Sequence, residues 1–434
     1  MTDRITETLK KLNIKEYIIN DLVRESAELF FIRKKLDQRR MKDSHVYSVV
    51  VYKDFEKDNR RCKGHATAVI YPGMTDEEIF KALKSADLSA SFVCNRSYEL
   101  PVYSGIFSKM GEAYGENADI DFDEGCRVMT EALFAEDNGT GEADPFVNSA
   151  ELFVCRQKRR IITSAGAVCG YDRFIVRGEY VIQCKKPEDV ETFGEFEYRT
   201  LNADALRKKI GRTLEYTKAR SLAKHAPAAG KYDVIVSGDF VRTIFDYYVD
   251  RAAADYIYAG YSKFRVGSDV KTGKDEKERT GDPLTIVLKA DVPFSPEAIP
   301  MKDRIMVEND ILKTIHGGAR FSYYLGTEPT GNYSDIEVKP GSLSIDEMKK
   351  RPYLHVVNFS DFQMDSLTGH FGGEIRLAFL FDGEREIPVT GGSVNGSIFD
   401  VQADMRLSSE IQEERGYTGP FAVLLKDVSV AGEQ

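Results

Sequence analysis

The chain has 434 residues with 42% hydrophobic content, which suits two or three cored domains and is too long for one ordinary core. Its formal net charge of -10 argues against nonspecific binding to nucleic acid, because that binding needs lysine and arginine to neutralise phosphates. The amino-terminal residues lack the apolar core of a signal peptide, and the longest apolar runs have the length of strands, so the sequence predicts neither secretion nor membrane insertion.

Six cysteines lie in the amino-terminal 184 residues, and none of them forms a C-x-x-C pair. We therefore expect isolated, reduced thiols and a cytoplasmic protein. The six are Cys62, Cys94, Cys126, Cys155, Cys169 and Cys184.

The chain begins with a pattern that predicts a helix over residues 15–40, where apolar residues recur at helical spacing. Two strands are predicted at 46–52 and 66–71, separated by a charged and solvated connection at 53–63. A helix follows over 74–86, with Thr75 as its cap.

Residues 111–150 contain eleven acidic residues and one basic residue, Arg127. The simplest interpretation is a solvated loop flanking a helix near 123–134. The alternative is an acidic rim that repels anions or binds a cation.

The next segment predicts two hairpins. One joins strands at 149–155 and 160–164 through a basic turn at 156–160, and the other joins strands at 172–176 and 180–184 through residues 177–179. A basic helix at 206–222 then precedes a stretch of small residues with proline at 224–230, which predicts a linker.

The last part of the chain opens with a strand at 234–236 and a helix at 239–259 that ends at Gly260. Short strands separated by Gly, Asn and Pro turns follow at 284–288, 304–308, 353–359, 374–381, 385–389, 396–402 and 421–428. The sequence thus predicts an α+β protein in two parts. An amino-terminal α/β domain (1–223) with helices on a mixed sheet is joined by the linker 224–230 to a largely antiparallel β-rich domain (231–434) that can curl into a barrel.

On the 239–259 helix, one apolar stripe indicates a buried face, and it consists of Phe240, Ile244, Phe245, Tyr248, Ala252 and Tyr256. Arg242, Asp246 and Asp250 lie on the opposite face. The two aspartates have the one-turn spacing of an acid and base pair, but Arg242 one turn earlier favours an ordinary charge ladder.

An ordered series of blocks resembles the TldD/PmbA family, long labelled modulators of DNA gyrase and understood as metallopeptidase components. The blocks lie at 232–239, 330–332, 338–347, 373–375, 387–396 and 426–432. The resemblance covers residues 150–434 well, and the first 150 residues match mainly in the rhythm of their elements.

The resemblance implies two kinds of subunit, a TldD type with a His-Glu-x-x-x-His zinc helix and a PmbA (TldE) type without it. Aligned to that helix, Phe245 and Asp250 occupy the histidine positions and Asp246 occupies the glutamate position. The family's further cysteine aligns within 416–420, but no cysteine follows Cys184. Because phenylalanine offers zinc no donor atom, we expect no zinc and no catalytic residue in this chain.

The resemblance then implies a PmbA-type partner of a TldD-type zinc subunit in a cytoplasmic peptidase that processes unstructured peptides. The alternative is a homodimeric peptide-binding protein of the same fold without catalysis. A third possibility is an enzyme of unrelated chemistry that uses Cys or Asp groups. Neither nucleic acid nor membrane is an expected partner.

Two glycine-containing loops are the candidate cleft or peptide-binding residues, since glycine permits close backbone approach and asparagine can bond a peptide's amides. They are Thr330, Gly331 and Asn332 in one loop, and Gly392, Ser393 and Asn395 in the other. The alternative is that both loops are turns between strands.

Histidines offer weaker candidates. Cys62 and His65 have the spacing of half a metal site or an activated thiol, but a structural role is favoured because no second pair lies nearby. His316, His355 and His370 have no spacing that demands convergence on a metal.

Overall fold

The computed structural model describes residues 1–103, 121–271, 279–350 and 352–433. The first half of the chain forms a seven-stranded sheet in the order β4-β3-β2-β1-β5-β6-β7, and every pairing in it is antiparallel. Its strands are β1 (Glu16–Ile32), β2 (Lys35–Lys57), β3 (Arg60–Ile70), β4 (Asn95–Arg96), β5 (Phe146–Thr163), β6 (Val168–Cys184) and β7 (Val190–Tyr198).

Four helices cover one face of this sheet: α1 (Thr2–Lys11), α2 (Asp76–Ala90), α3 (Phe122–Phe134) and α4 (Ala203–Leu222). In β1, Ile19 packs in the cluster that includes α1 and α2, and Leu29 and Phe31 pack in the cluster that includes α3 and α4. Ile19, Leu29 and Phe31 are separated by even numbers of residues, so their side chains point to the same face of the sheet. Both helix pairs therefore cover that face. Ile18 faces the other way and contacts a cluster with Phe294 of the second half.

The second half contains the remaining elements, which the structure places in two further sheets with short helices. They are β8 (Gly230–Ser237), α5 (Val241–Arg251), α6 (Ala254–Tyr258), β9 (Ile286–Lys289), β10 (Arg304–Glu308), β11 (Ile311–Leu312), α7 (Ala319–Leu325), β12 (Asp335–Val338), α8 (Ile345–Met348), β13 (Tyr353–Met364), β14 (His370–Phe381), β15 (Glu386–Val389), β16 (Ser393–Ser397), α9 (Ile398–Val401), β17 (Arg406–Leu407), β18 (Ile411–Glu414), β19 (Tyr417–Pro420) and β20 (Ala422–Ala431).

One of the two sheets closes into a barrel. Strands β13, β8, β20, β16 and β14 pair in that order, and β13 pairs again with β14, which completes the ring. The other sheet has the order β11-β10-β9-β12-β19-β18. Most of these pairings are antiparallel, with parallel exceptions at β8–β13 and β12–β19. The α+β class and the barrel are therefore confirmed, whereas the amino-terminal sheet is antiparallel rather than mixed.

Helix α5 lies in the core between these two sheets. Its buried residues Ile244, Phe245 and Tyr248 share one cluster with Val234 and Val236 of the barrel and with residues of β9 and β12. The predicted helix at 239–259 is shorter than expected because Ala253 has an extended backbone and bridges to His316, which separates α5 from α6.

The predicted helix at 15–40 is wrong, since these residues form β1 and the start of β2. Leu29 and Phe31 are buried at the two-residue period of a strand, and β1 pairs along its whole length with β2 and β5. Those distant partners satisfy the backbone, and the local helical spacing carries no information about them.

Both predicted turns in the following segment are also wrong, because β5 and β6 run through them. In β5 the basic residues Arg156 and Arg160 lie opposite Glu25 and Asp21 of β1, where unlike charges stabilise neighbouring strands. In β6, Gly178 allows the close approach of β5, because a Cβ at this position would come within 2.1 Å of the Glu151 carbonyl oxygen. This glycine therefore lies within a strand and does not mark a turn.

Three smaller predictions also differ. The charged connection at 53–63 is strand on both sides of a tight turn at Asp58 and Asn59, and the predicted strand at 396–402 is mostly the helix α9. The expectation of six isolated thiols is wrong, since Cys62 and Cys94 form a disulfide. Pairing of β3 with β4 brings these two cysteines together.

Other predicted elements are confirmed with shifted ends, including α2, α3, α4 and most strands of the second half. Thr75 caps α2 in a reciprocal capping box with Glu78. Of the acidic segment, residues 111–120 lie outside the described residues. The described remainder comprises α3, a loop and the first residues of β5, and Arg127 of α3 pairs with Glu124 and Glu131. The division of domains at 224–230 stays a prediction.

Candidate functional site

Helix α5 presents the residues that the family alignment places at the zinc helix. Phe245 is fully buried in the core. Asp246 lies on the opposite side, 3.4 Å from Arg242, as the charge ladder predicted. Asp250 accepts a hydrogen bond of 2.5 Å from the hydroxyl of Ser366. Burial raises the pKa of Asp246, and Arg242 partly opposes this.

The segment aligned with the family's cysteine meets α5 directly. It forms β19, and the ring of Tyr417 stacks on that of Phe245 with centroids 6.0 Å apart and planes inclined by 13°. The Tyr417 hydroxyl donates to the carbonyl of Pro420. Phe245 and the segment with Tyr417, which the resemblance aligns with zinc ligands, therefore pack against each other. In the described parts of the chain, no cluster of three His, Cys, Asp or Glu residues is arranged for a metal.

Beside this stack is a polar cavity of about 420 Å³ between the two halves of the chain. Its lining comes from β7, from the turn after β8, from α5 and from the strands β18 and β19. The lining residues are Glu197, Asp239, Arg242, Thr243, Asp246, Gln412, Glu414, Arg415 and Tyr417.

A buried charge cluster forms one wall of the cavity. Lys209 of α4 donates to Asp239 at 2.7 Å and lies 3.2 Å from Glu414 Oε2. The hydroxyl of Tyr198 also donates to this oxygen, at 3.3 Å. The other oxygen, Oε1, is buried and has no hydrogen-bond partner among the described residues.

Burial shapes the titration of this cluster. Burial raises the pKa of Glu414 to about 7, with Asp239 adding to the effect and Lys209 opposing it. Burial alone would lower the pKa of Lys209, but the facing carboxylates outweigh it and the pKa is raised. Glu414 therefore changes its charge near neutral pH while Lys209 stays cationic.

A larger groove of about 1010 Å³ continues from the cavity and shares Asp239 and Arg415 with it. One wall is β7 from Val190 to Glu195, and the other is the irregular middle of β13, from Asn358 to Phe362. Strand β7 pairs only with β6 among the described strands, so its second edge faces this groove.

The outward edge of β7 is partly unpaired. The carbonyl of Glu197 accepts from the backbone N–H of Arg415, and that of Glu191 accepts from the side chain of Arg220. Backbone groups of alternate residues point to the same edge, so those of Phe193 and Glu195 also point outward. They have no backbone partner within the described parts of the chain, and they are free to pair with an added strand.

The two predicted loops lie elsewhere. The hydroxyl of Thr330 accepts from the N–H of Gly317, and Gly331 has a φ of 79° in a tight turn. Gly392 has a φ of 76°, and a Cβ there would come within 2.3 Å of the Ala431 carbonyl oxygen.

Side chains in these loops make local contacts. Asn395 donates to the hydroxyl of Ser393 inside the barrel strand β16, and Asn332 is exposed to solvent. The linings of the cavity and the groove, as the described residues define them, include neither loop.

The histidines do not converge in the described structure. His316 bonds the carbonyl of Val249 at 2.9 Å, and His355 bonds the hydroxyl of Ser237 at 2.9 Å. Burial lowers the pKa of His355 to about 3, so it stays neutral. His370 is exposed, and His65 lies near the ring of Tyr52.

Sequence reasoning missed Tyr198, Lys209, Asp239 and Glu414. They come from four elements spread over more than 200 positions, so no motif spacing links them. The only signal in the sequence is the basic composition of the predicted helix at 206–222. This composition does not distinguish Lys209 from the exposed basic residues of the same helix.

Comparison with known proteins agrees with this architecture. Residues 229–432 match the PmbA/TldA metallopeptidase C-terminal domain. A protein named Metalloprotease from Methanothermobacter thermautotrophicus is 24% identical over 236 residues, which are 49% of this chain and 52% of that protein. The match spans about half the length of this curated relative.

Solved structures resemble nearly the whole chain. TldE from Thermococcus kodakarensis has a TM-score of 0.74 and 15% identity, over 99% of this chain and 100% of that one. A proposed modulator of DNA gyrase from Thermotoga maritima has a TM-score of 0.74 and 17% identity, over 99% of each chain. These likenesses show the fold, and the resemblance of the chain to the TldD/PmbA family is confirmed. None of the described helices is long and apolar enough to cross a membrane.

Proposed function

We propose, from the match of residues 229–432 to the PmbA/TldA metallopeptidase C-terminal domain, that this chain is the zinc-free subunit of a TldD/PmbA-type peptidase. It binds unstructured peptides, and a TldD-type partner subunit holds the zinc and performs the hydrolysis. The chain itself contributes the wall of a peptide cleft and no catalytic group.

The stacked rings of Phe245 and Tyr417 carry this proposal. A catalytic zinc site needs three protein ligands and one open position. Here two of the three places expected to supply ligands, Phe245 and the segment with Tyr417, are in contact with each other and are filled by core packing. Insertion of an ion between them would require separation of two aromatic side chains from a buried cluster.

Peptide binding is supported by the groove beside β7. An extended peptide can add to a free strand edge through main-chain hydrogen bonds, which give affinity with little dependence on sequence. The outward groups of Phe193 and Glu195 offer such an edge, and the exposed Phe193 ring offers apolar contact. This mode suits unstructured substrates, because most backbone groups of a folded chain are already paired within that chain.

The family resemblance and the net charge of the chain support the proposed partners and location. A TldD-type subunit is the first proposed partner and a second copy of this chain is the alternative. The net charge of -10 gives nucleic acid no electrostatic attraction. We propose a cytoplasmic location, although disulfides such as Cys62–Cys94 are rare there.

Co-expression with a paralog that carries His-Glu-x-x-x-His tests the proposal. The expected result is a stable mixed complex that hydrolyses a casein-derived peptide mixture, with zinc bound to the paralog only. Each chain is also purified alone as a control, and this chain alone is expected to leave the peptides intact.

Two outcomes would favour the rival functions. A stable homodimer that binds peptides but forms no complex with the paralog would indicate a peptide-binding protein without catalysis. Hydrolysis by this chain alone, lost in Asp246→Asn or Cys62→Ala, would indicate an enzyme of unrelated chemistry.

A further inference from the structure

We infer that the Cys62–Cys94 disulfide is a site of reversible reduction by dithiols, and that it fastens the 94–98 segment where this segment joins the two halves of the chain. In the proposed cytoplasmic location, a disulfide is usually transient and has a catalytic or redox-sensing role. The described linings of the cavity and the groove include neither cysteine, so the inference does not depend on peptide binding.

The 94–98 segment is bonded to β3 of the first half. It contains β4, which pairs with Cys62 and Lys63 of β3. The side chain of Asn95 also donates to the carbonyl of Lys63 at 3.2 Å. A pairing of two residues is short for a strand, so the position of the segment depends on its other contacts.

Hydrogen bonds join the same segment to α7 of the second half. Arg320 donates to the side-chain oxygen of Asn95 at 2.9 Å, and the hydroxyl of Tyr324 donates to the carbonyl of Arg96. The Cζ atom of Arg96 also lies 5.6 Å from the centroid of the Tyr324 ring. Asn95 and Arg96 thus contact β3 on one side and α7 on the other.

Tyr98 adds an apolar contact between the two halves. It is 4% exposed and belongs to a cluster that contains Ile18 of β1 and Phe294 of the second half. Its ring meets that of Tyr324 edge to face, with centroids 5.9 Å apart. The 94–98 segment is therefore part of the joint between the halves.

The two halves are joined near both edges of the first sheet, because the strand order places β4 at one edge and β7 at the other. Near the β7 edge, Lys209 and Glu414 form a salt bridge. At the β4 edge, the disulfide links the joint covalently to β3 and closes a loop with a sequence separation of 32 residues. Closure of such a loop reduces the freedom of the unfolded segment, which stabilises its folded position.

The two cysteines differ in their accessibility. Cys94 is exposed, whereas Cys62 is 1% exposed, so a dithiol approaches the pair from the Cys94 side. A thiolate of the dithiol attacks the Cys94 sulfur, the S–S bond breaks, and Cys62 leaves as a thiolate that takes a proton. The second thiol of the reagent then displaces Cys94 as a thiol. The dithiol becomes a disulfide, two electrons and two protons pass to the protein, and the oxidised reagent reverses the exchange.

The surroundings of Cys62 suit both redox states. The carbonyl oxygen of Arg60 lies 3.7 Å from the Cys62 sulfur, within reach of a weak hydrogen bond from a thiol. Reduction therefore leaves the buried Cys62 thiol with an acceptor.

The other cysteines are poor competitors in this exchange. Cys126, Cys169 and Cys184 are buried, and Cys155 is partly buried. Burial raises the pKa of Cys126 to about 11 and that of Cys169 to about 12, and it also raises the pKa of Cys155. Because the thiolate is the attacking species, these thiols are unreactive at neutral pH, and the exchange is directed to the Cys62–Cys94 pair.

The thiol state of the full chain tests the reactive site. The purified chain is equilibrated with different ratios of reduced to oxidised dithiothreitol, quenched in acid, alkylated in denaturant and mapped by mass spectrometry. We expect Cys62 and Cys94 to become alkylated together as the ratio rises and the bond to return as it falls. A bond that resists excess dithiothreitol in the native chain, or a pair found as thiols at every ratio, would overturn the inference.

Hydrogen exchange of the native chain tests the fastening of the segment. Reduction should speed exchange of the 94–98 amides about tenfold or more, since the covalent restraint is lost and β4 is short. Cys94→Ser should show the fast exchange with and without dithiothreitol. The matched control is Cys155→Ser, which removes a cysteine of β5 outside the pair and should respond to dithiothreitol as the parent does.

Exchange in two other elements tests the joint between the halves. Exchange in α7 should also become faster on reduction, because Arg320 and Tyr324 bond the released segment. Exchange around Glu414 should be unchanged, since that contact lies near the opposite edge of the sheet.

Three patterns of exchange would contradict the inference. Equal exchange of the 94–98 amides in the oxidised and reduced chain would show that the disulfide does not fasten the segment. Faster exchange in the segment without a change in α7 would confine the effect to the first half. An equal rise around Glu414 would indicate general destabilisation of the chain.

Discussion

The two faces of α5 differ in what surrounds them. On one face Phe245 is fully buried against Tyr417 in hydrocarbon packing. On the other, Asp246 and Arg242 line a polar cavity that contains a carboxylate without a full set of partners. The helix thus combines a buried apolar face with a concave, charged one.

The largest expected effect is a loss of stability when the buried face of α5 is changed. Phe245→Ala removes a fully buried ring from a close-packed cluster, and we expect the free energy of unfolding to fall by about 3–5 kcal/mol. Denaturant unfolding measures this change. Phe92→Ala removes a ring that is 76% exposed and should stay within about 0.5 kcal/mol of the parent. A loss below about 1 kcal/mol for Phe245→Ala would show that this face is not closed by packing.

The second-largest expected effect is on the pH dependence of the free energy of unfolding, through Glu414 on the polar side of α5. The pKa of Glu414 is raised from 4.5 to about 7, so the folded state binds a proton that the unfolded state releases between these values. The contribution of this group to stability is therefore present at low pH and is lost as pH rises through about 7. From pH 5 to pH 8 we expect the parent to lose about 1–3 kcal/mol relative to Glu414→Gln.

Parallel unfolding curves for the parent and Glu414→Gln over that pH range measure the difference. Asp76→Asn, on the exposed start of α2, serves as the control and should follow the parent. Identical pH profiles for the parent and Glu414→Gln would show that Glu414 titrates as an ordinary surface carboxyl.

A smaller effect is expected at the free edge of β7. Glu195→Pro removes one outward N–H donor, and the loss of one hydrogen bond should weaken peptide binding about threefold to tenfold. Glu195→Ala removes the same ion pair with Arg415 but keeps the donor, so it isolates the backbone contribution. Equal affinities for the two variants would place the peptide away from this edge.

The smallest effect is expected at Asp250. Its hydrogen bond from Ser366 gives Asp250→Asn a stability change of about 0.5–1.5 kcal/mol. Peptide hydrolysis by the mixed complex should be unchanged, because neither the cavity nor the groove includes this residue among its described lining. A large loss of hydrolysis with normal stability would restore the acid and base interpretation of Asp246 and Asp250.

Local signals in the sequence were sufficient for the fold class and for much of the second half. Thr75 and Glu78 marked the start of α2, and the apolar stripe with Phe245 predicted the buried face of α5. The strand at Arg304–Glu308 was predicted with its observed bounds. In each case the residues that determine the structure are neighbours in the sequence.

Local sequence patterns did not predict the pairing of strands that are distant in the sequence. Residues 15–40 fit a helical period, but their backbone is satisfied by β2 and by β5, which begins at Phe146. The basic residues of β5 indicated a turn, although Arg156 and Arg160 lie opposite Glu25 and Asp21 of the neighbouring strand β1. The charged wall of the cavity was missed for the same reason. Lys209 and Glu414 are distant in the sequence and meet only where the two halves of the chain pack together.

Metal binding by the isolated chain tests the central claim most directly. The purified chain is dialysed against excess zinc, passed over a desalting column and assayed for bound metal, with the His-Glu-x-x-x-His paralog as the positive control. We predict substoichiometric zinc that is unchanged by Asp250→Asn, and one retained zinc on the paralog. One zinc for each copy of this chain, retained through desalting and lost in Asp250→Asn, would contradict the account.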